Sequence, residues 1–190
     1  FSIEPLGGAR PRDPLTIEAV DAMLQVSLDF ARRQLGHFIR SGVNIVSHLK
    51  NTFIVVDEER DSGGALPSGH RLAAGGFELR NDDAWVVTIP GIAAPPYDSA
   101  PYWGFQLCNF WYEPLDYGAA WAHRNNSTAI ADGDGNVRLV ISERRPAGRF
   151  ADNWLALRGH EIGSAQFRLS RVVLPMPSIT AEVVPIRDLV

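Results

Sequence analysis

The chain has 190 residues, of which 45% are hydrophobic and 21% charged, and its net charge is −4. These are the proportions of a folded globular protein of one domain or one and a half, and they exclude a disordered chain. With no basic patch in view, nucleic acid is not an expected partner. A single cysteine, Cys108, rules out an intrachain disulfide and a thiolate metal centre, and no apolar run reaches the length of a membrane span.

Residues 1–13 hold Pro5, Gly7, Gly8 and Pro11 and read as an extended lead-in. Asp13-Pro14 then predicts a helix start, with Asp as N-cap and Pro at the first helical position. Ile17, Val20, Leu24, Leu28, Ala31 and Leu35 recur at helical spacing and predict one buried face, opposite Asp21, Asp29, Arg32 and Arg33. Gly36 is expected to end or bend this helix. Phe38, Ile39, Val43, Val46 and Leu49 allow a second helical piece, with Gly42 as its weak point.

After Asn51 the period changes. Thr52-Phe53-Ile54-Val55-Val56 is β-branched and aromatic and predicts a strand, and Arg60 to Gly69 has the composition of a loop. Phe77-Glu78-Leu79 and Ala84 to Ile89 predict two strands joined through Asn81-Asp82-Asp83, and Pro90-Gly91 closes the second. From Tyr102 to Tyr112 the alternation puts Trp103, Phe105 and Leu107, with Asn109 and Trp111 as further candidates, on one face and Gln106, Cys108 and Phe110 on the other. Thr128-Ala129-Ile130 and Val137 to Ser142 flank Asp132-Gly133-Asp134-Gly135-Asn136, a hairpin signal. Ala165 to Leu174 gives a last long strand, ended by Pro175 and Pro177. The fold class is therefore α+β: an N-terminal amphipathic helix or helix pair (1–50) packed on an antiparallel β-sandwich or jelly roll (51–190).

Few motifs carry chemistry. The Asp132 to Asn136 turn has calcium-loop composition, but the residues after it lack the bidentate Glu that such a loop requires, so a plain turn is favoured. The five histidines form no His-x-His pair and no helical His-Glu-x-x-His array, so no metal and no cofactor is expected. No Gly-x-Ser-x-Gly elbow supports a serine hydrolase. Cys108, inside a strand, reads as a small buried hydrophobe rather than a nucleophile. All the cations but Lys50 are arginine, whose planar group grips carboxylates or phosphates in a bidentate way.

The run Trp103-Gly104-Phe105-Gln106-Leu107-Cys108-Asn109-Phe110-Trp111 is followed in order by Leu115-Asp116-Tyr117, Arg124-Asn125-Asn126, Asp134-Gly135 and Asn153-Trp154-Leu155, then His160, Gly163 and Arg168. From roughly Gly75 to Leu174 this order resembles the bacterial domain of unknown function numbered 1214, often found with a partner domain numbered 1254. The resemblance implies a jelly-roll-like sandwich, a bacterial source and a segment preceding Phe1. No catalytic residue transfers with it. Trp103, Asn109, Asp116, Asn126, Asn153, Trp154 and Arg168 match its recurrent positions, with Asn153-Trp154 suited to a turn plus core plug and Arg168 to a buried partner for Asp116.

The leading expectation is an enzyme or enzyme subunit acting on a polyhydroxylated or ring-shaped small molecule at the open end of the sandwich. Trp103, Trp111 and Trp121 would form the apolar wall, while Asn109 and Arg124 orient polar groups. Asp116 or His160 would move protons, with Arg168 stabilising negative charge. The rival is a non-catalytic binding or assembly module that uses the helix to dock a partner subunit or a second copy. No signal peptide is visible, so the default location is cytoplasmic, and an opening on Phe1 rather than Met suits a processed chain.

Overall fold

The computed structural model describes residues 14–56, 69–100, 102–116, 118, 122–170 and 174–189. The lead-in at 1–13, nearly all of the expected loop, Tyr117, Trp121 and the end of the last long strand lie outside the described residues. The chain forms two compact units, Phe1–His37 and Phe38–Val190.

One helix, α1 (Ile17–His48), crosses that boundary without a break, so Gly36 does not end it. Its described N-cap is Thr16, three residues beyond Asp13: the Thr16 Oγ1 accepts the Ala19 amide at 3.2 Å, satisfying one of the first-turn donors. In the first unit the expected buried face is exposed, Leu24 at 61% and Leu35 at 63%. In the second unit, Gly42 and Ile45 are the buried positions of the helix. Gly42 is a requirement rather than a weak point, because a Cβ there would sit 2.6 Å from the Phe110 carbonyl oxygen.

Among the described residues nine strands follow: β1 (Thr52–Val56), β2 (His70–Glu78), β3 (Asp83–Ile89), β4 (Tyr102–Cys108), β5 (His123–Asn125), β6 (Val137–Ser142), β7 (Trp154–Ala156), β8 (Ile162–Ser170) and β9 (Thr180–Pro185). They make a five-stranded sheet in the order β1-β2-β8-β4-β5 and a four-stranded sheet in the order β7-β6-β3-β9. Every pairing is antiparallel except β6 with β7, which is parallel. The expected strand Thr128 to Ile130 does not form. The turn at 132–136 contributes only an isolated bridge, Ala131 to Val137, and β6 pairs instead with β3 and β7.

The two sheets share one apolar core, as the α+β sandwich reading requires. Period-two alternation sends Phe77, Trp103, Phe105, Leu107, Phe167 and Leu169 inward from the first sheet. Trp85, Val87, Ile89, Leu139, Ile141 and Leu155 come from the second. Phe53 of β1 lies flat on Trp85, ring centroids 5.0 Å apart, and the Trp85 indole donates to the Asn51 carbonyl at 3.3 Å. No helix among the described residues is long and apolar enough to cross a membrane.

Candidate functional site

The same alternation that fills the core with Trp103, Phe105 and Leu107 turns Tyr102, Gly104, Gln106 and Cys108 to the opposite face of β4. Register then aligns them with neighbours on the central strand β8, its partner β2 and the edge strand β5. One row runs His70, Ser170, Tyr102; the next Leu72, Arg168, Gly104, Asn125; the third Ala74, Gln166, Gln106, His123; and the last Gly76, Ser164, Cys108. The last turns of α1 sit over the end of this face at Gly76, where a Cβ would meet the Ile45 carbonyl oxygen at 2.7 Å. Beyond them the rows open into a hollow of about 500 Å³.

Gln166 and Cys108 are buried there, His70, Gln106, Tyr112 and His123 are half-buried, and Tyr102 and Arg168 are exposed. Gly104 is bare because the Tyr102 phenol folds across it, its oxygen 2.5 Å from where a Cβ would be. Arg168 donates to Gln166 Oε1, which orients the guanidinium. Gln106 donates to the Ala122 carbonyl at 3.2 Å, and Ser170 Oγ lies 3.3 Å from His70 Nδ1. His123 Nδ1 is buried with no hydrogen-bond partner among the described residues. Arg124 reaches the hollow from the edge, donating to the His123 carbonyl and, across to the other sheet, to the Trp154 carbonyl, both at 3.0 Å.

Electrostatics separates these groups. Desolvation pushes the Cys108 thiol up to about 11, partly offset by the Arg168 charge, so at neutral pH it is a thiol and a poor nucleophile. Tyr112 is pushed up to about 12 by burial and by Cys108, again opposed by Arg168. Arg124 is lowered by burial and then by Arg145. No Asp or Glu among the described residues lines the hollow. Among the described residues, no group of three His, Cys, Asp or Glu gathers in a metal-binding arrangement.

Of the residues picked out from sequence, the hollow brings together Arg168 and Arg124. Trp103 is 3% exposed, tilted against Phe167 in the core, and so is not a wall of this site; it edges a smaller hollow of about 250 Å³ with Tyr97 and Asn126. Trp111 is 50% exposed, edge-on to Phe110 and outside the lining. Trp121 lies outside the described residues. Asn109 shapes the chain after β4, its Oδ1 accepting the amides of Trp111 at 2.8 Å and Glu113 at 3.0 Å. Asp116 pairs with Arg158 at 3.3 Å on the surface, not with Arg168, which is exposed and bonded to Gln166. His160 sits in a turn, its amide on the Leu157 carbonyl, and does not line the hollow. Residue-by-residue reading passed over Gln166, His70, Tyr102 and Tyr112. The alternation that placed Gln106 and Cys108 opposite Trp103 was the signal for the correct face.

A second hollow of about 380 Å³ lies beside the 132–136 turn. Asp132, Asn136 and Asn153 of its lining are engaged in bonds within the chain. Asp132 Oδ1 accepts the amides of Asn136 at 2.9 Å and Asp134 at 3.0 Å, and these bonds, the Asn136 amide's first, hold the carboxyl below its usual range. Asn153 bonds the backbone of Ile130 and Arg138. It is a saturated turn.

No protein-family model matches the chain, and no curated protein does. Solved structures resemble it, among them the following two. An uncharacterised protein from Burkholderia cenocepacia has a TM-score of 0.80 at 24% identity, over 96% of this chain and 48% of that one. The VPA0106 protein from Vibrio parahaemolyticus has a TM-score of 0.44 at 13% identity, over 90% and 47%. The chain spans about half the length of each, and the Burkholderia likeness establishes a shared fold.

Proposed function

We propose that this protein binds a small ring-bearing molecule in the hollow on the outer face of the five-stranded sheet. One observation carries the reading. Three adjacent strands present Gln106, Gln166, His70, Ser170 and Arg168 in register on one side, while their other side is continuous apolar core. Polar side chains aligned over a hollow of about 500 Å³, with Tyr102 and Tyr112 beside them, have the size and mixture of a small-molecule site. The resemblance to the family numbered 1214 stands as part of this proposal, on the motif order from residue 75 to 174.

Titration of the whole chain with benzamide and with myo-inositol, followed by NMR, tests it. Signals of His70, Gln166 and Tyr102 are expected to move in saturable fashion, and Gln166→Leu to abolish the response. Shifts confined to other surfaces, or unaltered by Gln166→Leu, overturn the reading.

A second reading, a docking module, rests on the exposed Leu24, Leu28 and Leu35 of α1. Light scattering of the wild type against Leu28→Glu decides it: a larger species that falls to monomer supports docking to a second copy, and a monomer in both removes that copy as its partner.

A further inference from the structure

We propose that the ligand of this hollow carries an anionic group, a carboxylate or a phosphate, and that Arg168 receives it. The inference rests on the small-molecule reading above and adds the charge of the ligand to it. The chain as a whole is acidic, with 22 Asp and Glu against 18 Lys and Arg, yet among the described residues the lining of the hollow holds two arginines, two histidines and no carboxylate. Such an imbalance against the global charge is local and belongs to this face of the sheet.

Arg168 is set up to receive rather than to bridge. Its cross-strand neighbours are Leu72 and Gly104, neither of which can neutralise it. Among the described residues it enters no ion pair, and its hydrogen bond goes to the neutral Gln166, which fixes one edge of the guanidinium and leaves other donors for a ligand. Its field reaches into the hollow, where it opposes the upward push on both Cys108 and Tyr112. The missing side chain of Gly104 lets the Tyr102 ring fold across the sheet surface beside Arg168, where it supplies a flat apolar neighbour for a planar group. A planar fork held by an amide, next to an aromatic ring and with no competing acid among the described residues of the lining, is the arrangement that recognises a carboxylate or phosphate in two-point fashion.

The test compares two near-isosteres that differ in charge. Benzoate and benzamide are titrated into the whole protein and into R168Q, with phenyl phosphate and inorganic phosphate as further arms. Benzoate is expected to bind at least about tenfold tighter than benzamide, the effect of one charge-assisted pair. R168Q should erase that preference, so that benzoate and benzamide bind alike, while the thermal midpoint stays in place because the residue is exposed. The tighter of benzoate and phenyl phosphate identifies the group, and inorganic phosphate shows whether the anion suffices without the ring. Equal binding of benzoate and benzamide, in competition, overturns the anionic assignment and leaves the small-molecule reading standing. So does a benzoate preference that survives R168Q. If neither compound reaches the hollow, both readings fall together.

Discussion

Removing the sulfur of Cys108 gives the sharpest test of the electrostatics of the hollow. The thiol is buried beneath the outer face, and its pKa rises from the ordinary 9.0 to about 11 because the thiolate would lose its hydration there. A folded-state value above the unfolded one means that the unfolded chain gives up this proton first. The stabilising contribution is complete below pH 9.0 and drains away as pH climbs toward 11. A two-unit shift amounts to about 1.4 kcal/mol lost by pH ~10 and about 2.3 kcal/mol by pH ~11. Cys108→Ala forfeits sulfur contacts worth on the order of 1 kcal/mol at neutral pH but has no thiol to ionise. Denaturant unfolding of the two proteins across alkaline pH should therefore give stability curves that cross a little below pH ~10, the variant being the more stable beyond it. Tyr112 titrates in both proteins and largely cancels in the difference. Parallel curves through this window, or rapid reaction of native Cys108 with a thiol reagent at pH 9, would refute the burial argument.

Two further outcomes probe the face and its surroundings. Asn153→Ala removes side-chain bonds to the Ile130 amide and carbonyl and the Arg138 carbonyl, at 2.8, 2.7 and 3.1 Å, and should cost on the order of 3 kcal/mol in denaturant unfolding; a loss under about 1 kcal/mol contradicts the assigned network. Gly104→Ala displaces only the flexible tip of Tyr102, so the unfolding free energy should move by less than about 1 kcal/mol, while the NMR response to benzamide weakens; unchanged binding would remove Tyr102 from the site.

The sandwich was legible wherever a strand carries its own alternation. Tyr102 to Cys108 announced both of its faces, because large apolar groups at odd positions and small or polar ones at even positions fit only one orientation in a sheet. The short strands were not legible. His123–Asn125 and Trp154–Ala156 are three residues each, too short for periodicity, and exist because longer neighbours supply their hydrogen bonds. Thr180–Pro185 follows two prolines and lies at a sheet edge against β3, where Pro185 costs no interior ladder bond. The site suffered from the same locality. Trp103 was marked as a pocket wall because indoles can stack on ligands, but its register position is shared with Phe105 and Leu107, and core burial wins. Gln166 and His70 gained importance only through pairing across nearly one hundred positions of chain, which no local pattern encodes.

The two outer faces of the sandwich argue for where function lies. On the four-stranded sheet, Ala84, Val86, Val140 and Val184 point outward and are apolar, and the chain covers them itself: Phe150, Ile186 and Leu189 close into a second small cluster over that side. A face covered by its own chain serves stability. On the five-stranded sheet the corresponding positions are Gln106, Gln166, Ser170, His70 and Arg168, and the second unit's part of α1 meets this face at Gly76. Polar groups on a central strand do nothing for the core beneath them, and β-propensity would favour Val or Ile at the same positions. Glutamines and an arginine cost the sheet stability there, and a partner for their donors in the hollow is what would offset that cost.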